Sequence, residues 1–366
     1  MKRFTLLAAM LLGNQIQAQD FNLLIGTYTN SGKSEGIYTY NFNTLSGDTK
    51  LKAITKDVAN PSFLSVSPDH KFVYAVNESG NASTASAFGF KAATGELAFL
   101  NKKDSKGTDP CYITSDHLNV IVANYSSGSI AVYARNADGS LSEPKQVIQH
   151  TGKSIDIARQ KSAHAHMVQF TPDKKYLIAV DLGEDQVYIY NYNPRSKDNV
   201  LTVKTVLKTS PGTGPRHLTF SPNGKFAYLA HEFNGNITAF SYKNGNLVKI
   251  QDISSVAPTA QGNVDGADIH VSADGKFLYE SNRGDANTIN VFSIFPTGRL
   301  AFASRVSSLG KGPRNFAIDP SGKYLLVANQ GSDEVVIFNR DTLTGALTDS
   351  AKRIKVGSPV CLLFTP

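Results

Sequence analysis

The stretches GPRHLTFSPNGKFAYLAHE (Gly214 to Glu232) and GPRNFAIDPSGKYLLVANQ (Gly312 to Gln330) are near copies of one another. Each reads as strand, tight turn, strand. Alternating apolar residues flank a Ser-Pro-Asn-Gly or Asp-Pro-Ser-Gly segment, where proline presets φ and Gly or Asn accepts the positive φ of a hairpin. The Pro-Arg pair ahead of each first strand has no such mechanical explanation.

The second-strand ending recurs along the chain as VYAVNE to Glu78, VIVANY to Tyr125, LIAVDL to Leu182, AYLAHE to Glu232, LYESNR to Arg283 and LLVANQ to Gln330. The spacing is about fifty residues, which marks a repeat architecture. A turn precedes each ending: SPDHK, TSDHLN, TPDKK, SPNGK, SADGK and DPSGK. A third alternating strand follows (SIAVYA, QVYIYNY, NITAFSY, TINVFSI, EVVIFNR). A further turn then announces a fourth strand: TGEL from Thr94, DGSL from Asp138, NGNL from Asn244, TGRL from Thr297 and TGAL from Thr344. The unit beginning near His166 carries KDNVL instead. Four short strands per repeat without long helical periodicity predict the blades of a β-propeller.

Six units account for the chain from about Pro61 to Leu347. The C-terminal SPVCLLF reads as a lone first strand, and the segment from Phe21 onward reads as strands two to four. Together they make a seventh blade, which closes the ring and removes the open edges that invite aggregation. The expected fold is all-β: a seven-bladed propeller, four antiparallel strands per blade, forming one domain over residues 19–366.

Residues 1–18 read differently. Lys2 and Arg3 precede an apolar run from Phe4 to Leu12 and a polar stretch ending at Ala18, the pattern of a secretory signal peptide cleaved near Ala18-Gln19. The run is too short to span a membrane, and no other span is expected. The first twenty residues hold no cysteine to carry a lipid. The expected location is periplasmic or secreted, with a cytoplasmic protein bearing an apolar first helix as the alternative. Removing Lys2 and Arg3 lowers the formal charge from +7 to +5. The remaining cations are scattered, which suits a small anionic ligand and argues against nucleic acid. Cys111 and Cys361 lie among apolar strand residues and read as buried free thiols.

In a propeller blade, the start of strand one and the end of strand two share one mouth of the central channel. Counting back six from each turn proline or its equivalent gives Ser62, Pro110, His166, Arg216, Ala267 and Arg314. The strand-two endings add Glu78, Tyr125, Asp181, Glu232, Arg283, Asn329 and Gln330, with Thr27 and Tyr28 from the closing blade. One mouth therefore gathers His164, His166, Arg216, His217, Glu232, Arg283 and Arg314. A structural reading exists for each alone: Asn and Asp cap turns at strand ends, and arginines bridge blades to Glu232 or Asp181. Together the cations make an anion site, because a guanidinium fork fits carboxylate or phosphate. His164 and His166, two residues apart on an extended chain, face one side. They are candidates for a general base, for a hydrogen-bond donor, or for a metal pair with Glu232 or Asp181. The connection KQVIQHTGKSIDIARQKSAHAH runs ahead of them on the same face, long enough to form a lid or site wall.

The stretches RQKSAHAHMVQFTPDKKYLIAVDLGEDQVYIY, GTGPRHLTFSPNGKFAYLAHEFNGNITAF and GPRNFAIDPSGKYLLVANQGSDEVVIF resemble the seven-bladed propeller lactonases, the family of bacterial 6-phosphogluconolactonase and of the fungal carboxy-cis,cis-muconate cyclase. The resemblance implies hydrolysis of a sugar lactone with no metal or other cofactor. It implies catalytic residues at His164 or His166, Arg216, Glu232 and either Arg283 in SNRG or Arg314. The residues themselves assign Glu232 or His166 as base and Arg216 with Arg283 as holders of the oxyanion or of an anionic group. His164, His217, Arg314, Asp181, Asn329 and Gln330 are expected to bind substrate. The expected partner is a small, anionic sugar lactone. The alternatives are a non-catalytic propeller that binds an anionic glycan or a protein, a metal-dependent lactonase, and a lactone-forming cyclase.

Overall fold

The computed structural model of the protein describes residues 20–257 and 262–366. The leader expected over residues 1–18 lies outside them. Seven four-stranded antiparallel sheets form the molecule. Blade 1 runs outward from the channel as Pro359–Thr365, Asp20–Thr27, Gly36–Asn43 and Thr49–Lys56. Blades 2 to 7 begin at the inner strands Leu64–Val66, Pro110–Ser115, Ala165–Phe170, Pro215–Phe220, Gly266–Val271 and Pro313–Ile318, and each continues outward in sequence order. The seam is the expected one. The last strand pairs antiparallel with the first, from Asn22 opposite Thr365 to Thr27 opposite Pro359. Two single-turn 3-10 segments, Gly80–Ala82 and Gln330–Ser332, are the helical elements among the described residues. No described helix is long and apolar enough to cross a membrane.

The core lies between blades, because each sheet turns alternate side chains toward each neighbour. Between blades 7 and 1, Leu326, Ala328 and Tyr324 pack on Leu23, Ile25 and Leu362. Between blades 3 and 4, Ile121 and Val132 meet Val168, Leu177 and Ala179. Both cysteines are buried and free.

The Gly of each outer turn has a packing reason as well as a positive φ. Gly139 (φ +86°), Gly245, Gly298 and Gly345 each sit against the aromatic that opens strand two of the preceding blade, namely Phe72, Tyr176, Phe226 and Phe277. Gly47 sits against Tyr324 across the seam. A Cβ at any of these positions would enter the ring. Blade 4, which lacks the glycine, faces blade 3, which lacks the aromatic. There Asn119 donates to the Tyr192 hydroxyl (2.8 Å) and to the Pro194 carbonyl (2.9 Å).

One irregularity recurs and decides where side chains point. In blade 4 the ladder steps from Ala165 opposite Asp181 to Met167 opposite Val180, leaving His166 without a partner. The same one-residue bulge singles out Arg216, Arg314, Cys111 and, at the seam, Val360. Blade 6 is wider: Gly266 faces Asn282 and Ile269 faces Glu280, so Ala267 and Asp268 together oppose Ser281. A bulge turns its extra side chain out of the alternation. Two of the register positions counted from sequence shift accordingly. Cys111, rather than Pro110, is the equivalent of Arg216, because the TSDHLN turn is shorter than the others, and Asp268 joins Ala267.

Deleting residues 359–366 removes the inner strand of blade 1 and exposes Leu23, Ile25 and the edge of Asp20–Thr27. The truncated chain should lose its cooperative thermal transition and elute as aggregate on size-exclusion chromatography, whereas deletion of Pro366 alone should change neither.

Candidate active site at the channel mouth

The bulge residues and the residues just past strand two form two rings around one mouth. The upper ring is set by a backbone bond repeated in all blades, for example from Glu232 N to Gly214 O (2.7 Å), Arg283 N to Asp265 O (2.8 Å) and Gln330 N to Gly312 O (3.0 Å). It comprises Tyr28, Glu78, Tyr125, Leu182, Glu232, Arg283 and Gln330. The bulge ring beneath carries Cys111, His166, Arg216 and Arg314.

Glu232 is the electrostatic centre. Its residue is 5% exposed. Oε2 accepts from Arg216 Nε (3.0 Å) and from Arg283 Nη2 (3.0 Å). Oε1 accepts from Arg159 Nη2 (2.5 Å). Burial opposes its charge, but the three guanidiniums prevail and hold its pKa down at about 2. A carboxylate so held is a counter-ion and a poor proton acceptor at neutral pH.

Arg216 is 2% exposed. Besides Glu232 it donates from Nη1 to the Ala267 carbonyl (2.6 Å) and toward His217 Nε2 (3.4 Å). Burial and the neighbouring arginines lower its pKa to about 10, so it stays charged at neutral pH. Arg283 also binds Asp265 Oδ1 (2.6 Å). Arg314 differs from these: no described carboxylate pairs with it, and it lies over the Tyr28 ring (5.6 Å), whose hydroxyl donates to Glu78 (2.7 Å). The buried Ser62 hydroxyl, without a described partner, lines the same small pocket as Cys111, Arg216, His217 and Arg314.

His166 is buried beneath this charge. Burial first, then Arg216, His217, Arg314 and Arg283, push its pKa well below 6.5, so the imidazole is neutral. Its Nδ1 is 3.8 Å from the Cys111 sulfur, and Nε2 is not hydrogen-bonded by any described residue. The thiol itself is inert, its pKa raised by burial. His164 stands a layer higher, stacked on Tyr125 (4.5 Å) with Nδ1 at the Tyr125 carbonyl (2.9 Å). His166 meets the edge of the same ring (5.4 Å).

The structure thus brings together His164, His166, Arg216, His217, Glu232, Arg283 and Arg314, with half-buried Gln330 level with Glu232. It places Asp181 and Asn329 one residue deeper, where both are fully buried. Asp181 Oδ1 caps the amides of His164, Gly183 and Glu184, and Oδ2 meets His150 Nδ1 (2.7 Å). Asn329 donates to the Ser308 carbonyl (3.0 Å). These are turn and blade contacts rather than mouth contacts. His150, Asp181 and Glu184 are also the described residues spaced to hold a metal ion. Their ligand atoms are taken by one another, by the Tyr188 and Tyr190 hydroxyls and by Gly152 N. Sequence reasoning missed Arg159, Cys111 and Asp268, and placed Tyr125 and Tyr28 at the mouth without their ring contacts to His164 and Arg314. The long connection, expected as a lid or site wall, sends Arg159 to Glu232, and which of its residues turns inward depends on how the loop folds back.

Residues 22–364 match the family described as lactonase, 7-bladed beta-propeller, and the chain belongs to it. It is 36% identical over 345 residues to a 6-phosphogluconolactonase of Bacillus subtilis, covering 93% of this chain and 97% of that one. It is 36% identical to a 6-phosphogluconolactonase of Formosa agariphila, covering 94% and 99%. The solved structure of a periplasmic gluconolactonase from Pseudomonas aeruginosa superposes with a TM-score of 0.90 at 37% identity, over 95% of this chain and 99% of that one.

The Glu232 pKa yields a stability prediction. Its folded value of about 2 lies below the unfolded 4.5. The ionised pair therefore adds about 3 kcal/mol above pH 4.5, and this is lost as pH falls toward 2. Glu232→Gln should lower the unfolding free energy by about that amount at pH 7, since three guanidiniums lose their counter-ion. In urea titrations at a series of pH values the gap to wild type should narrow below pH 4.5. A gap independent of pH would remove this account.

Proposed function

We propose that this chain hydrolyses a sugar lactone at the mouth that holds His166, and that the lactone carries a phosphate or carboxylate. The observation that carries the reading is the convergence of Arg216, Arg283 and Arg314 around a neutral, buried imidazole. Relatives named 6-phosphogluconolactonase and gluconolactonase support the reaction class.

Lactone opening needs water activated at the carbonyl carbon, charge stabilised on the carbonyl oxygen, and a proton for the departing alkoxide. His166 Nε2 accepts the proton of the attacking water as its oxygen bonds to the carbonyl carbon. Arg216, held by Glu232 at Nε and by the Ala267 carbonyl at Nη1, faces the oxyanion together with Arg283. When the ring C–O bond breaks, the imidazolium returns its proton to the alkoxide, leaving a hydroxy acid and a regenerated base. Glu232 holds the arginines in place against their mutual repulsion. Arg314, which no described carboxylate pairs, takes the substrate's anionic substituent, with His164 and Gln330 around it. The reaction so written uses protein groups alone and needs no metal. The leader read in residues 1–18 suits a periplasmic or secreted enzyme, as the Pseudomonas relative is periplasmic.

A panel of δ- and γ-lactones, with and without phosphate or carboxylate and with and without chelator, tests the reading. Hydrolysis unaffected by chelator is expected. Opening of no lactone alongside binding of an anionic sugar would leave a binding propeller instead. Arg216→Ala should lower kcat by about 10²–10³-fold, the usual cost of a lost oxyanion donor. Arg314→Ala should raise KM for anionic lactones and spare neutral ones. Because the His166 pKa lies well below 6.5 and the base must be unprotonated, kcat/KM should be flat from pH 6.5 upward and fall only at distinctly lower pH. An acid limb centred near 6.5 or above would exclude His166.

A further inference from the structure

Asp268 belongs neither to the repeat pattern nor to the chemistry assigned above, yet it is among the most heavily hydrogen-bonded carboxylates of the chain. The two-residue bulge of blade 6 puts it there, and the Asp268 amide, out of the ladder, donates to Ser281 Oγ (3.0 Å). The carboxylate is 4% exposed as a side chain. Oδ1 accepts from His217 Nδ1 (2.9 Å) and Ile269 N (3.0 Å). Oδ2 accepts from Asn315 Nδ2 (2.6 Å) and Phe316 N (3.3 Å) and meets His270 Nε2 (2.9 Å). It thereby ties blades 5, 6 and 7 at the level of the site. A structural tie would need only the amides and Asn315.

The bond to His217 has a chemical consequence. Burial and Arg216 push the His217 pKa down to about 4 against the pull of Asp268, so the ring is neutral at working pH. A neutral imidazole has one N–H and one lone pair. Asp268, held ionised far below the usual carboxylate range despite its burial, accepts and cannot donate, so the proton of His217 sits on Nδ1. Nε2 then presents its lone pair to Arg216 Nη1, 3.4 Å away. In the other tautomer two N–H groups would face each other across that gap. Arg216 is thus gripped by Glu232 at Nε and by Ala267 O and His217 at Nη1. Its Nη2 carries no hydrogen bond to a described residue and is the donor left for substrate. His217 is itself hemmed in by Tyr112 (5.4 Å), His166 (5.2 Å) and Phe63 (6.2 Å), so the ring cannot turn to exchange its nitrogens.

We propose that Asp268 is a positioning residue for Arg216: by fixing the Nδ1–H tautomer of His217 it aims the Arg216 guanidinium, and so its free Nη2, at the reacting oxygen. The role in catalysis rests on the lactonase reading, whereas the tautomer does not. Displacing a catalytic group by about 1 Å can cost on the order of 100-fold in rate. The effect should fall on kcat, because Arg216 acts where charge develops.

The test has two arms. The first uses the unaltered mature protein: ¹⁵N-labelled histidine spectra at pH 7 should show His217 as the Nδ1–H tautomer. An Nε2–H tautomer or an imidazolium would overturn the proposal whatever the protein's activity. In the second arm, Asp268→Asn brings an NH₂ among donors on both sides, so the His217 signals should move toward the other tautomer. On the best lactone found, kcat should fall roughly 10- to 100-fold with KM changed less than about threefold. Unchanged signals and unchanged kcat would also overturn it, as would a loss of kcat without any change at His217, which would mark a purely structural tie. If no lactone is opened by the wild type, the catalytic reading fails while the histidine spectra still decide the chain from Asp268 to Arg216.

Discussion

The pairing of Pro359–Thr365 with Asp20–Thr27 is the constraint under which everything at the mouth exists. Seven wedge-shaped blades bury their faces only against neighbours, so a ring with one gap leaves two apolar faces in water and two sheet edges unpaired. Closing it with strands from both ends of the chain removes both costs at one step. It also sets the geometry of the site. Arg314 and Tyr28, near opposite ends of the sequence, meet across the seam, and only a shut ring holds Arg314 at the same height as His166 and Arg216.

One backbone irregularity supplies the bulge ring of the mouth. A regular inner strand would send alternate residues into the two interblade cores, where an arginine has no place. In blades 3, 4, 5 and 7 the bulge releases one residue from that alternation, and the positions hold Cys111, His166, Arg216 and Arg314. The price is buried positive charge. Glu232 offsets it for Arg216, Arg283 and Arg159 at once, and the cost to Glu232 is its basicity. Burial and the same cations keep the His166 imidazole neutral.

Much of this was legible in the chain. The fifty-residue period, the turn chemistry and the stray strands at the two ends specify the propeller and its closure. The Pro-Arg pair, unexplained by strand or turn, pointed to the mouth. The register count failed by one at Cys111 because a shorter turn broke the reference point. Asp181 and Asn329 were grouped with Glu232 because a strand's end does not reveal which of its last two residues faces its own turn and which faces the channel. Asp268 was invisible because its blade carries the bulge as two residues, a difference of backbone and not of composition.

By itself the sequence determined what is local and repeated: strands by alternation, hairpins by Pro, Gly and Asn, and most outer turns by a glycine at positive φ. Each such signal acts within a few residues, so it survives in a linear reading. The tertiary structure alone decided which charges meet. Arg159 reaches Glu232 from a long loop, Asp268 grips His217 from the next blade, and Arg314 has no ion pair with a described carboxylate. Pairing of that kind depends on distances of a few ångströms between residues tens of positions apart, and on low-dielectric surroundings that only the closed ring creates.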